Sequence, residues 1–318
     1  MPLPLEKLRA VRTIISHSNC PDGIISALIL QDALSENGIL TVHFLQYDTP
    51  EAQNLPAEPG MLFCDFSPPP ERVDEFVKVG AIVLDHHKTQ KDVVKAFGDL
   101  GVYADEPGIS GATLAFREVW KPIYAVANHG EVSMQHPEHV EEIAKIAGIR
   151  DTWQKTDRDW EEACIQAAGV MFPPEEYFIG QAGAVMGAEW RKLMWCGKIK
   201  LHKLRFRAER AVRDGFKFTS AKGTRVVVFQ GTKLASDAAE TPPAADFDLI
   251  VGFDLFTSKG VPKLIISTRS RTTFDCAAFC KANGGGGHLR AAGFGIDNPT
   301  LVPWEHVQRL LYAYEKGQ

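Results

Sequence analysis

The apolar positions in the first half of the chain fall into short runs separated by polar segments of helical period. Val11–Ser16, Leu40–Tyr47, Met61–Cys64 and Ala81–Leu84 are brief and rich in Val, Ile, Leu or Phe, which predicts strands. Between them, Ile24–Ser35 and Pro69–Val79 predict helices. Ser67 ahead of prolines reads as a hydroxyl cap followed by residues whose missing N–H costs nothing in a first turn. Strand–helix alternation of this kind implies right-handed crossovers and a parallel sheet. Further helices are predicted near Gly111–Trp120, Pro137–Ala147 and Asp159–Ala168. After Gly215 the pattern changes. Strands are predicted at Phe216–Ser220, Arg225–Gln230, Asp248–Phe256 and Lys263–Thr268, with helices at Asp275–Lys281 and Pro303–Tyr314. The fold class is therefore α/β: a parallel-sheet domain over 1–190, a basic helix or linker over 191–214, and a smaller α/β domain over 215–318.

Composition narrows the function classes. Hydrophobic residues make up 45% of the 318, enough for real cores, and charged residues 24%, which suits a globular protein. No apolar stretch is long enough to span a bilayer, and Met1 to Ser16 lack a basic-then-apolar signal plan, so the expectation is cytoplasmic with no membrane partner. A net charge of −5 argues against a large non-specific nucleic-acid surface but leaves room for a small phosphate substrate. The six cysteines are scattered without a CxxC pair, which suggests neither a disulfide framework nor a zinc ribbon. Nine Lys and Arg between Arg191 and Arg213 read either as a solvated helix face or as a wall that attracts phosphate.

Four segments place carboxylate or imidazole groups just after apolar runs: His17-Ser18-Asn19-Cys20-Pro21-Asp22-Gly23, then Asp65, then Asp85-His86-His87, then Asp151. In a parallel sheet the first three gather at the C-terminal edge, where such sheets bind ligands. Mixed carboxylate and imidazole donors suit Mn²⁺, Mg²⁺, Fe²⁺ or Co²⁺ better than a soft thiolate metal. Each residue also has a plainer reading. Asp22 and Asp65 could cap the helices that follow them. His86 or His87 could be an ordinary hydrogen-bonded histidine. Asp151 could pair with Arg150. In the second domain, Asn283 to Gly293 holds the run Gly284–Gly287, then His288 and Arg290. Consecutive glycines either aim backbone N–H groups at an anion or form a flexible loop. Ser267 and Arg269, ending a predicted strand, add a hydroxyl and a guanidinium that can hold phosphate.

Taken together, these segments resemble the DHH phosphoesterase superfamily: a first motif at His17–Ala27, then Asp65, the Asp85-His86-His87 tripeptide, Asp151, and a C-terminal domain with a glycine-His motif. The resemblance covers most of the chain and implies an active site in the cleft between two domains. It implies one or two Mn²⁺ ions, with Mg²⁺ or Co²⁺ as substitutes. On the family pattern His17 and Asp22 are metal ligands, Asp65 bridges two ions, and His86 and Asp151 hold the second. Asp85 orients a ligand from behind, and His87 faces the scissile phosphate. Arg269 and His288 contact substrate, with Ser267, Gly285, Gly286, Gly287 and Arg290 beside them. One departure stands out. Many relatives have an Asp where this chain has Cys20, and the spacing to His17 differs. Cys20 is either a ligand or a small thiol that fills space.

The glycine-His type of C-terminal domain is similar to that of oligoribonucleases and exonucleases. This implies a divalent-metal-dependent phosphodiesterase that cuts short oligonucleotides or linear dinucleotides to mononucleotides with a metal-activated water. The alternatives are a phosphatase on pyrophosphate, polyphosphate or a 3′-phosphonucleotide, and a catalytically silent nucleotide-binding relative. A homodimer stays open.

Overall fold

Five short strands, β1 (Thr13–His17), β2 (Thr41–Leu45), β3 (Met61–Cys64), β4 (Ile82–Asp85) and β5 (Gly101–Tyr103), pair in the order β2-β1-β3-β4-β5, all parallel. The computed structural model describes residues 2–47, 49–127, 137–180, 187–258 and 260–317. These form two compact units, Met1–Leu201 and His202–Gln318.

In the first unit, alternate strand residues feed two cores. Ile14, Val42, Leu62 and Leu84 face one side with the helix Pro21–Ala33. Ile15, Phe63 and Val83 face the other with Phe66, Phe76 and Val94. This is the two-sided burial that a parallel sheet requires. The helix Pro21–Ala33 is buried on nearly every residue, because it lies between the sheet and the helices Gly111–Leu114, Pro137–Asp151 and Trp160–Val170. It starts three residues before its predicted start, with Pro21 at its first position.

β1 is flanked by β2 on one side and β3 on the other, so the chain leaves it in opposite directions. That is a topological switch point, and the crevice lies beyond the C-terminal ends of β1 and β3.

Several expectations need correction. Pro69–Val79 is not one helix: a 3₁₀ turn, Pro70–Arg72, leads into the helix Val73–Lys78. Ser67 does not cap it. Ser67 is fully buried, and its hydroxyl donates to Asp85 Oδ2 at 2.6 Å. Asp65 likewise caps nothing. β5 has no counterpart among the predicted strands, because three half-buried residues leave no period to detect. Asp151 ends the helix Pro137–Asp151, which runs four residues beyond its predicted end at Ala147. Among the described residues no helix is long and apolar enough to cross a membrane.

The second unit is built on a six-stranded sheet. Its strands are β6 (Phe216–Thr219), β7 (Arg225–Gln230), β8 (Leu249–Ser258), β9 (Val261–Ser270), β10 (Gly286–His288) and β11 (Ala291–Asp297). Their order is β10-β11-β9-β8-β7-β6, and only β7 and β8 are parallel. One face packs on Phe279, Val307 and Leu311, and the other on Ala208, Val212 and Ala238. The basic segment belongs to one helix, Ala188–Asp214, which contributes to both units. Several of its charges are paired along the helix, as in Lys192–Glu189 and Arg213–Glu209.

The glycine run is neither a free loop nor a helix start. Gly286–His288 forms an edge strand on β11. Close approach explains the glycines. A Cβ on Gly285 would lie 2.1 Å from the Gly293 carbonyl oxygen, and one on Gly287 would lie 2.6 Å from that of Ala291.

Candidate metal centre

The C-terminal ends of β1, β3 and β4 bring His17, Asp65 and His86 together. Asp65, the first residue after β3, has φ 58°, a left-handed conformation that Asp tolerates better than most residues. This turn directs its carboxylate into the crevice, where it is almost wholly buried. Asp65 Oδ1 lies 3.1 Å from His86 Nε2, and Oδ2 lies 3.7 Å from His17 Nδ1. The same His86 nitrogen is 3.4 Å from Asp151 Oδ2. His17, Cys20 and Asp65 each offer a donor atom within 4.8 Å of the others, and so do Asp22, His86 and Asp151. The five residues expected to hold metal therefore sit together; Asp65 belongs to the first group and also forms one with His86 and His87, and His86 joins that one to Asp22 and Asp151.

Burial by itself would raise the Asp65 carboxyl, but the imidazoles of His17 and His86 hold it well below the usual carboxylate range. His86 moves the opposite way. Burial would lower it, yet Asp65, Asp22 and Asp151 push it up to about 9. Burial and the charge of Asp65 raise Asp151, and the same causes raise Asp22 further. In the metal-free protein a proton on His86 thus does a cation's work between two carboxylates.

Asp22 plays a part that its sequence neighbours do not announce. It lies in the first turn of the helix Pro21–Ala33, but it caps a different helix. Its oxygens accept from Ser110 Oγ at 2.6 Å, Gly111 N at 2.6 Å and Ala112 N at 3.2 Å. That helix can come so close only because residue 111 has no side chain: a Cβ there would lie 2.4 Å from the Asp65 Cβ.

Asp85 ends β4 fully buried and holds His87. Its Oδ1 accepts from the His87 backbone N–H at 2.9 Å and lies 2.7 Å from His87 Nδ1, while Oδ2 takes the Ser67 hydroxyl. Burial would lower His87, but Asp85 raises it. Tyr47 stacks on Phe66 at 4.4 Å and packs edge-on against His17 at 5.4 Å. Glu175 fixes the turn after β1, accepting from Ser18 Oγ at 2.8 Å and from the Asn19 backbone N–H.

Beside Asp22 and Asp151 lies a cavity of about 340 Å³, lined among others by Ile25, Arg150, Trp153 and Gln166. Trp153 is half exposed, with the Arg150 guanidinium 4.2 Å above its ring. The motifs do not point to Tyr47, Ser67, Ser110, Gly111, Trp153 or Glu175 as parts of the site. Of these, only Ser110-Gly111-Ala112-Thr113 has a local signature, that of a capping box.

The residues expected to contact phosphate all lie in the second unit. Arg269 opposes Ala291, which in turn opposes His288, so the three share one face of the sheet. In the next row Ser267 opposes Gly293, which opposes Gly286. Arg269 is held by Ser236 Oγ and Ser267 Oγ, each at 3.0 Å. Arg290 is exposed in the turn after β10.

Do the first unit's residues fit a divalent cation? His17 Nδ1 and Asp65 Oδ2 are buried with no hydrogen-bond partner. Unsatisfied groups of this kind are rare in folded proteins because each costs desolvation without return. A cation would satisfy both, and the surrounding carboxylates and imidazoles are its usual donors. Before a cation can bind, the His86 proton must leave. Apparent affinity should therefore climb about tenfold per pH unit for each proton displaced, with the His86 proton ceasing to contribute above about pH 9. Calorimetric titration in buffers of different ionisation enthalpy measures this directly; binding without proton release at pH 7 would contradict it.

No family model and no curated protein matches the chain. Solved structures do match. An exonuclease RecJ bound to manganese gives a TM-score of 0.58 at 16% identity, over 99% of this chain and 95% of its own. The DHH domain of a protein assigned to a ribosomal-protein family gives 0.54 at 13%, over 98% and 87%. An exopolyphosphatase-related protein from Bacteroides fragilis gives 0.50 at 18%, over 98% and 94%. With its own Asp85-His86-His87 at the C-terminal edge of a 2-1-3-4-5 parallel sheet, the chain has the DHH fold.

Proposed function

We propose that the chain is a DHH phosphoesterase: a divalent-cation-dependent hydrolase that cuts short oligonucleotides or linear dinucleotides to mononucleotides. The observation that carries this is the pair of partnerless, buried donors, His17 Nδ1 and Asp65 Oδ2, at the switch point of the sheet.

His17, Cys20 and Asp65 would hold one ion, and Asp65, Asp22, His86 and Asp151 a second. When bound, such ions supply Lewis-acid stabilisation of phosphoryl charge and a nucleophilic water at neutral pH. The chain's own residues do the rest. Asp85, locked by Ser67 and the His87 backbone, holds His87 Nδ1–H and favours the protonated imidazole, in which Nε2 is a donor. A donor fixed in this way can stabilise a phosphoryl oxygen or protonate the leaving oxygen without reorganising. In the second unit, Ser267, Arg269, His288 and Arg290 offer donors of the kind that bind phosphate.

The cavity beside Asp151 supports a nucleotidic substrate. Its wall of Trp153 and Arg150 offers a flat aromatic and a guanidinium to a base. The RecJ neighbour is an exonuclease, which points the same way. A second reading, a phosphatase on pyrophosphate or polyphosphate, draws support from the exopolyphosphatase-related neighbour.

End-labelled di- to pentanucleotides, with pyrophosphate alongside, separate the two. Expected are cation-dependent release of mononucleotides, silence in EDTA, and a KM on dinucleotides raised about tenfold or more by Trp153→Ala, the scale of one stacked base. Phosphate release from pyrophosphate with intact oligonucleotides would establish the phosphatase. Inertness of a folded, cation-loaded sample on both would overturn the phosphoesterase reading.

A further inference from the structure

We propose that Cys20 is a thiolate ligand of the ion held by His17 and Asp65, and that it turns this position toward thiophilic cations, Zn²⁺, Co²⁺ or Fe²⁺, ahead of Mn²⁺ and Mg²⁺. The inference rests on the metal reading of the site given above.

Three observations carry it. The first is placement: a donor atom of Cys20 lies within 4.8 Å of donors from His17 and from Asp65. The second is need. The His17 nitrogen and the Asp65 oxygen that border this position, 3.7 Å apart, are both buried without a hydrogen-bond partner. Two donors do not close a cation site, and the third donor of the group is sulfur. The third is electrostatic surroundings. Cys20 occupies the N-cap of the helix Pro21–Ala33 with extended backbone (φ −122°, ψ 124°), its sulfur faces the Gly23 backbone N–H, and the charges of Asp65 and Asp22 bear on it, charges that a cation would offset.

The loop around it is held in place. Glu175 accepts from Ser18 and Asn19, and Asn19 takes a left-handed φ of 54°. Gly23 packs where a Cβ would meet the His17 carbonyl oxygen at 2.2 Å. The sulfur is therefore presented by a braced turn, which suits a ligand better than a filler.

The chemistry follows from the donor set. When the cation enters, the S–H bond breaks, a sulfur–metal bond forms and the proton passes to solvent. One thiolate among nitrogen and oxygen donors favours softer ions, whereas oxygen-rich sites suit Mg²⁺ and Mn²⁺. The other group, Asp22, His86 and Asp151, has no sulfur and keeps the harder preference.

The test is optical and needs no turnover. The metal-free full-length chain is titrated anaerobically with Co²⁺. Expected are visible d–d bands together with a near-ultraviolet thiolate-to-cobalt charge-transfer band. Cys20→Ser should lose the charge-transfer band and keep visible bands. Cys20→Asp should shift the ratio of Mn²⁺ to Zn²⁺ affinity toward Mn²⁺ by at least about tenfold, a scale that even neighbours of metal ligands can reach. Visible bands without charge transfer in the unaltered chain, or charge transfer that survives Cys20→Ser, would overturn the proposal and leave the metal centre standing. No cobalt bands in a folded sample would overturn both.

Discussion

Replacing Asp65 by Asn is expected to abolish cation binding and catalysis together while leaving the fold intact. Asn is the gentlest change available: it has the same shape, and with Asp it is among the residues that best tolerate the left-handed φ of 58° found here. What it removes is the negative charge shared between His17 and His86, and one of its two oxygens becomes an N–H donor. In the native chain those oxygens lie 3.7 Å from His17 Nδ1 and 3.1 Å from His86 Nε2. Asn presents a hydrogen to one of them and has no charge to offer a cation. We expect kcat/KM to fall by about 10³-fold or more, comparable to losing a principal electrostatic stabiliser of a transition state. The thermodynamic readout is independent of any substrate. A cation at a hundred times its dissociation constant stabilises the native chain by about 2.7 kcal/mol. That gain, seen as a rise in melting temperature on adding the ion, should vanish in Asp65→Asn. A variant that still melts higher with cation would show that Asp65 is not shared between the ions.

Adding a single methyl group at Gly111 should disable the same centre without touching a ligand. No left-handed backbone is involved, so the effect is purely steric. The new Cβ would sit 2.4 Å from the Asp65 Cβ, 2.9 Å from Asp22 Oδ2 and 2.9 Å from Ser26 Oγ. The buried surroundings leave nowhere to shift except along the helix start, and that start is what Asp22 holds. Overpacking costs about 1–3 kcal/mol, and loss of the cap adds about 1 kcal/mol. Gly111→Ala should therefore lower stability by several kcal/mol in urea unfolding and weaken cation binding, because Asp22 and Asp65 move apart. Gly187→Ala, where a Cβ meets nothing within 4 Å among the described residues, serves as the control and should be near neutral. If Gly111→Ala bound cation and unfolded like the native chain, the close packing of that helix on the centre would be wrong.

Much of the centre is legible in the order of residues, for a local reason. Apolar runs such as Met61–Cys64 and Ala81–Leu84 announce buried strands, and a residue directly after a parallel strand has nowhere to go but the C-terminal edge. His17, Asp65 and His86 follow from that rule alone. The parts that escape it lack local signatures. The partner of Asp85 is Ser67, which reads as a cap because a hydroxyl before prolines usually is one. β10 reads as a loop because glycine has low strand propensity, and pairing with Ala291–Gly293 is a fact about another segment. Asp151 arrives on a helix whose packing against Pro21–Ala33 brings its last turn to His86.

The sequence by itself determined which elements form and which chemistry they can carry: parallel strands ending in imidazoles and carboxylates, and a glycine-rich segment beside Arg269 and His288. Period and propensity are short-range, so a single chain displays them. The tertiary structure alone decided how each donor is used. It made Asp22 the cap of a helix that begins 89 residues later. It gave Asp85 to His87 and left Asp65 Oδ2 and His17 Nδ1 without partners, with Cys20 beside them. Hydrogen-bond saturation and desolvation act through space between segments far apart in the chain. Only the folded arrangement shows which carboxylate is already satisfied and which is left without a hydrogen-bond partner.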